Sequence, residues 1–143
     1  IAVMDHGRIE QFDTAFTLYR KPANRFVAGF IGKSNLLEGR IAQGRFRSGD
    51  IALDLPGAAA EGSVALMLRP EDVALCPGPT GDGKAALPAD VISATYTGDR
   101  AIYTVAVGPE ARFLVYGTAR TGLIPEGTRV HVTFDPQDCL LLR

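Results

Sequence analysis

Cysteine is scarce in this sequence: Cys76 and Cys139 stand alone and far apart among 143 residues. They show neither paired-ligand spacing nor a dense framework, which excludes a disulfide-built scaffold and leaves no metal or redox motif. Charge of one sign is also lacking. Lys and Arg number 15 against 16 Asp and Glu, for a formal net charge of -1. With the basic residues dispersed, no stripe exists to neutralise a run of phosphates, so nucleic acid is not expected as a partner. Long apolar runs are missing as well. None approaches the ~20 residues of a membrane-spanning helix, and the first residues lack the basic-then-apolar order of a secretory signal. The chain therefore reads as soluble and globular, without direct membrane insertion. It opens on Ile1 inside an apparent strand, as a piece of a longer protein would.

What is present divides into two unlike parts. "IAVMDHGRIEQF" holds two short apolar-patterned runs around Asp5-His6-Gly7, a hairpin whose turn uses the permissive backbone of Gly7. Asp13 and Thr14 offer capping oxygens to a helix carrying Phe16, Leu18 and Tyr19, and Lys21-Pro22 ends it. A second helix is expected from Pro22-Ala23, with Phe26, Val27, Phe30 and Ile31 on one face and Gly32 as its stop.

From Asn35 onward, short apolar runs are separated by Gly, Pro and Asp, the pattern of an all-β barrel or sandwich. Thr97-Gly98-Asp99-Arg100 reads as a two-residue hairpin turn. The Pro- and Gly-rich stretch 76–87 reads as an internal linker. Its two sides are alike. "GSVALMLRPEDVAL" (62–75) lies on "GTRVHVTFDPQDCLL" (127–141) with one insertion near Thr128, so that Leu66 matches Val132, Pro70 matches Pro136 and Asp72 matches Asp138. "LEGRI" (37–41) falls on "LPADV" (87–91), which predicts a doubled β unit. Alternation places Val64, Leu66 and Leu68 on one buried face.

Gly32-Lys33-Ser34 imitates the end of a phosphate loop. The loop requires a glycine five residues earlier, where this chain has Val27, and it must join a strand to a helix N-terminus. Here the triplet follows a helix, whose carbonyl end repels phosphate. A nucleotide site is not expected there. "RPED" is a second candidate for chemistry, because neighbouring carboxylates can share acid and base roles. The related turn keeps proline and aspartate but replaces Arg69 with Asp135 and Glu71 with Gln137. Shape explains what is retained. Arg69, Pro70, Glu71, Asp72, Pro136 and Asp138 are accordingly read as structural or regulatory turn residues. Arg69 is expected to pair with a nearby carboxylate, and Asp72 to accept backbone N–H groups. His6 reads as a turn residue and His131 as an outward-facing strand residue.

The stretch from "MDHGRIEQ" through "LYRKPANRFVAGFIG" to "NLLEGRI" resembles the segment that closes the ATP-binding subunit of bacterial ABC import systems and leads into its C-terminal extension. "LRPEDVAL", "TYTGDRAIYTV" and "TFDPQDCLLL" resemble the transport-associated OB (TOBE) domain of the polyamine and iron branch. The resemblance implies a mainly β fold: a doubled OB-like (MOP-like) barrel over residues 34–143, preceded by a β-hairpin and two-helix remnant of the nucleotide-binding domain over residues 1–33. It implies that the phosphate loop, the ABC signature and the switch histidine lie upstream, so that no catalytic residue, cofactor or metal belongs to this region. ATP and Mg would serve the parent subunit. The implied role is regulatory and dimer-stabilising, with a second copy and membrane permease subunits as partners, in the cytoplasm at the inner face of the membrane, for spermidine, putrescine or a related solute. The alternative is an oxyanion-binding domain of the molybdate type, with Lys33, Ser34 and Asn35 as anion ligands.

Overall fold

The structure, a computed structural model, describes residues 1–118, 120 and 122–143. Strands β1 (Ala2–Asp5) and β2 (Arg8–Phe12) pair antiparallel, and His6 and Gly7 between them have φ of 46° and 78°. Two positive φ values in succession match the twist of a tight hairpin, which is why a glycine closes this turn. Helix α1 (Ala15–Arg20) is capped by Thr14, whose side chain accepts from the Thr17 N–H. Helix α2 spans Arg25–Phe30.

Two expectations about α2 are corrected. The helix starts after Asn24, which caps it by accepting from the Val27 N–H at 3.0 Å, and not at Pro22-Ala23. The Ala23 N–H is held outside the helix by the Gln11 side chain at 2.8 Å. The inward stripe is Val27 and Ala28, whereas Phe26 and Phe30 are exposed and stack on each other with centroids 5.8 Å apart. At 100° per residue, Val27, Ala28 and Ile31 fill one face and leave the phenylalanines on the next. Val3, Leu18 and Val27, with Ile31 beside them, form a small core of their own.

The remaining chain folds as two matching halves. The first contains β3 (Asn35–Ala42), β4 (Arg45–Ser48), β5 (Ile51–Leu53), β6 (Gly62–Leu68), a 3-10 turn at Pro70–Asp72 and β7 (Ala74–Cys76). The second contains β8 (Ala85–Tyr96), β9 (Ala101–Val107), β10 (Ala111–Gly117), β11 (Arg129–Phe134), a 3-10 turn at Pro136–Asp138 and β12 (Leu140–Leu142). The sheets run β12-β6-β3-β4-β5 and β7-β11-β8-β9-β10, so each half gives its closing strand to the other half's sheet. The register agrees with the repeat. Leu37 pairs Leu66 and Gly39 pairs Val64, while Leu87 pairs Val132 and Ala89 pairs Val130. The turn at 97–100 closes through the Thr97 N–H and the Arg100 carbonyl at 3.0 Å, with Gly98 at φ 95°.

The inner faces share one core, in which Leu37, Val64, Leu66 and Leu68 meet Leu87, Val105, Val130 and Val132. Burying each such side chain favours the fold by about 1.5–3 kcal/mol. The second face of β6 is buried too, since Met67 packs with Ala28 of α2 and Leu142 of β12. Alternation alone does not reveal that, because the cover comes from another element. The linker is shorter than expected: Ala85, Ala86 and Leu87 are already in β8, paired to Phe134, Thr133 and Val132, which leaves 77–84 between strands.

Candidate functional site

Met67 and Arg69 point to the same side of β6 because side chains alternate along a strand, and that side faces the two helices. Pro70 then fixes the turn, which closes when the Asp72 N–H donates to the Arg69 carbonyl at 3.0 Å. The Arg69 side chain is 2% exposed. Its Nε and Nη2 donate to the Tyr19 carbonyl at 3.2 and 2.7 Å, and its Nη1 donates to the carbonyls of Ala28 at 3.1 Å and Lys33 at 2.9 Å. Its guanidinium lies 4.0 Å from the centre of the Tyr19 ring. The last carbonyls of a helix lack partners and carry partial negative charge. One planar fork therefore caps α1 and α2 together and ties both to the barrel.

This differs from the expected pairing of Arg69 with a carboxylate. The carboxylates of the same turn reach outward to the first helix: Glu71 accepts from the Tyr19 hydroxyl, and Asp72 binds Arg20 Nη1 at 2.6 Å instead of accepting backbone N–H groups. Burial pushes the Tyr19 pKa up to about 12, aided by the hydrogen bond to Glu71. Burial draws the Arg69 pKa below its ordinary value, opposed by Tyr19 and Glu71. Asp72 raises that of Arg20.

The second turn has the same shape without the docking. Asp135 stands in the place of Arg69, and its carboxylate accepts from the Gln137 N–H at 2.9 Å, while the Asp138 N–H donates to the Asp135 carbonyl. Pro136 is half-buried and Asp138 exposed. A cavity of about 150 Å³ lies where the turns meet, between Arg20, Met67, Arg69, Asp72 and Asp138. Arg69, Glu71 and Asp72 are thus joined to the helices, Pro70 is buried within the turn, and Asp138 borders the same cavity.

Lys33, Ser34 and Asn35 are engaged separately. The Lys33 carbonyl accepts from Arg69, Ser34 Oγ donates to the Ala28 carbonyl at 2.9 Å, and the Asn35 amide pairs with the Leu114 backbone. Gly32 follows the C-terminal end of α2, with φ 74° and the Tyr19 ring against it. Sequence reasoning missed Tyr19 and Arg20, which carry no signal beyond their helix. It also missed a groove of about 740 Å³ between the β4–β5 and β9–β10 turns, bordered by Glu38, Asp50, Asp90, Glu110 and Arg129. Arg129 is bound there to Asp90 at 2.9 Å. Among the described residues, no group of three or more His, Cys, Asp or Glu is placed to hold a metal ion, and no helix is long and apolar enough to cross a membrane.

Two half-barrels that exchange closing strands, each built around a strand, Pro-turn, strand motif, define a doubled OB-like module. The chain belongs to the TOBE-domain family: the TOBE domain model matches residues 66–142, and the model of the CysA C-terminal regulatory domain matches residues 35–75. Its relatives include the sulfate/thiosulfate import ATP-binding protein CysA of Nitrosomonas europaea, 36% identical over 82% of this chain and 30% of the relative. The spermidine/putrescine import ATP-binding protein PotA of Rubrobacter xylanophilus is 32% identical over 99% of this chain and 40% of the relative. The chain spans less than half the length of these relatives. Among solved structures it is similar to the cytoplasmic molybdate-binding protein ModG, with a TM-score of 0.57, 17% identity, and coverage of 85% of this chain and 97% of that one. At that identity the likeness concerns the fold.

Proposed function

We propose that this chain is the non-catalytic C-terminal part of the ATP-binding subunit of a bacterial ABC import system. Residues 34–143 are the regulatory and dimer-stabilising barrel, and residues 1–33 complete the nucleotide-binding domain. The distribution of apolar surface carries this reading. Seven of the ten large apolar side chains exposed among the described residues, Ile1, Met4, Ile9, Phe12, Phe16, Phe26 and Phe30, lie within residues 1–33, against Ile92, Tyr96 and Leu123 in the much longer barrel, which encloses a continuous core. A two-stranded hairpin with two short helices is too small to stand alone, and an apolar surface of this kind is what a larger domain covers.

ATP and Mg act in the parent's upstream region. The subunit works as a homodimer with membrane permease subunits, in the cytoplasm at the inner face of the membrane. The barrel regulates it by population shift, through contacts that differ between open and closed dimers. Spermidine, putrescine or a related solute is the cargo, a choice supported by relatives of that name that match 99% of the chain. Oxyanion binding at Lys33, Ser34 and Asn35 has the molybdate-binding neighbour in its favour and the engagement of Ser34 and Asn35 against it.

The purified 143-residue chain is expected to hydrolyse no ATP, while the full-length subunit does so at a rate altered by removal of residues 34–143. Measurable turnover by a clean preparation of the short chain overturns the proposal. Uptake of labelled putrescine, lost on deletion of the parent gene while sulfate uptake persists, tests the cargo.

A further inference from the structure

We infer that Arg69 is a latch and Gly32-Lys33 its hinge, so that residues 1–31 have two positions against the barrel, fastened and released. Four observations carry this. The covalent crossing is a single strand of chain, and Gly32 within it sits at φ 74°, where a Cβ would lie 2.9 Å from the Tyr19 ring. That ring is therefore held between the hinge glycine and the Arg69 guanidinium. The apolar contact across the joint is small, with Ala28 on one side and Met67, Leu142, Leu36 and Leu140 on the other. The remaining polar ties are the Tyr19 hydroxyl to Glu71, Ser34 Oγ to the Ala28 carbonyl, and two partly exposed ion pairs, Arg20 to Asp72 and Arg25 to Glu38, of the kind that contribute little.

Arg69 differs from those ties. Among the described residues no carboxylate pairs with it, and of its four hydrogen bonds three go to carbonyls of residues 19 and 28 on the far side of the joint and one to the carbonyl of Lys33 in the hinge. A partial movement strips these acceptors while the cation is still buried, and a buried charge without partners is costly. Halfway positions are disfavoured on both sides. The joint is then a bistable element, fastened with the guanidinium capping both helices or released with it in water. The second half has no such latch, because Asp135 stands at the matching position. Use of the latch in regulation rests on the function proposed above; the latch itself does not, and the experiment tests the latch alone.

Hydrogen exchange is followed by mass spectrometry on the 143-residue chain, as wild type, Arg69→Lys and Arg69→Met. Lysine keeps the charge and loses the fork, whereas methionine removes the charge. In both variants, amides of residues 15–33 are expected to exchange at least roughly tenfold faster, while β3, β6, β8 and β11 keep their protection. Trypsin cleavage after Lys33 accelerates in parallel. Unchanged exchange over residues 15–33, or acceleration shared equally by the barrel strands, overturns the inference. If neither Arg69 variant folds, Tyr19→Leu decides: it removes the ring between hinge and latch without entering the barrel core, and retained protection over residues 15–33 overturns the inference equally.

Discussion

Asn35 on β3 and Leu114 on β10 bind each other as two strand residues would: Asn35 Nδ2 donates to the Leu114 carbonyl at 2.8 Å, and the Leu114 N–H donates to Asn35 Oδ1 at 2.7 Å. The side-chain amide replaces a peptide group and joins the edge of one sheet to the middle strand of the other. The matching residue of the second half is Ala85, so only one of the two equivalent seams is closed in this way. Asn35→Ala removes both bonds and strands two backbone groups, at an expected cost of about 2–4 kcal/mol in urea unfolding.

Asn35→Asp adds a pH signature. A carboxyl at this buried position is held protonated above the ordinary range of aspartate, so the native state binds more protons than the unfolded state between the two pKa values. Stability of this variant is expected to fall as pH rises through that window and to recover on acidification. Urea midpoints flat across mildly acid to neutral pH would contradict the buried pairing.

Gly39 faces the Phe46 ring, and a Cβ on it would lie 2.6 Å from Phe46 Cζ and 2.5 Å from the Arg47 carbonyl oxygen. Gly39→Ala is therefore expected to cost about 1–3 kcal/mol by overpacking. Part of that loss returns in Gly39→Ala with Phe46→Leu, which relieves the ring contact but not the carbonyl contact. Thermal denaturation of the single and double variants measures the recovery.

Burial pushes the Cys139 thiol up from 9.0 to about 11, so the folded chain keeps this proton where the unfolded chain loses it. Stability is expected to decline as pH rises from 9 to 11, the direction set by a native pKa above the unfolded value. Cys139→Ala flattens that segment of the profile. At pH 8, a thiol reagent is expected to modify half-buried Cys76 first and Cys139 only on unfolding.

The Arg20 to Asp72 pair closes at 2.6 Å with 41% and 16% side-chain exposure. Asp72→Asn is expected to cost no more than about 1 kcal/mol, and less at high salt. Titration calorimetry with molybdate, tungstate and sulfate is expected to give no heat at Lys33, Ser34 and Asn35. Stoichiometric binding lost in Ser34→Ala would establish an anion site there.

Local patterning made much of this molecule legible. The hairpin at Gly7, the capped first helix, the repeat and the Pro-turns each depend on residues within a few positions of one another, where backbone preference and alternation act directly. Pro22-Ala23 did not start α2 because Asn24 caps the helix two residues later and the Gln11 side chain, twelve positions away, holds the Ala23 N–H outside it. The groove and the engagement of Asn35 left no trace in the pattern, since their parts lie far apart along the chain.

By itself the sequence determined that two similar β units follow a hairpin and two helices, because periodicity, turn residues and repetition are local properties of the chain. Only the tertiary structure decided where the closing strands go. β7 and β12 are each three residues long, and which sheet receives them depends on the edges that the finished halves present. It likewise decided that Arg69 binds helix carbonyls and not a carboxylate, because those carbonyls lie up to fifty positions earlier in the chain and come within hydrogen-bond reach only when helices and barrel meet.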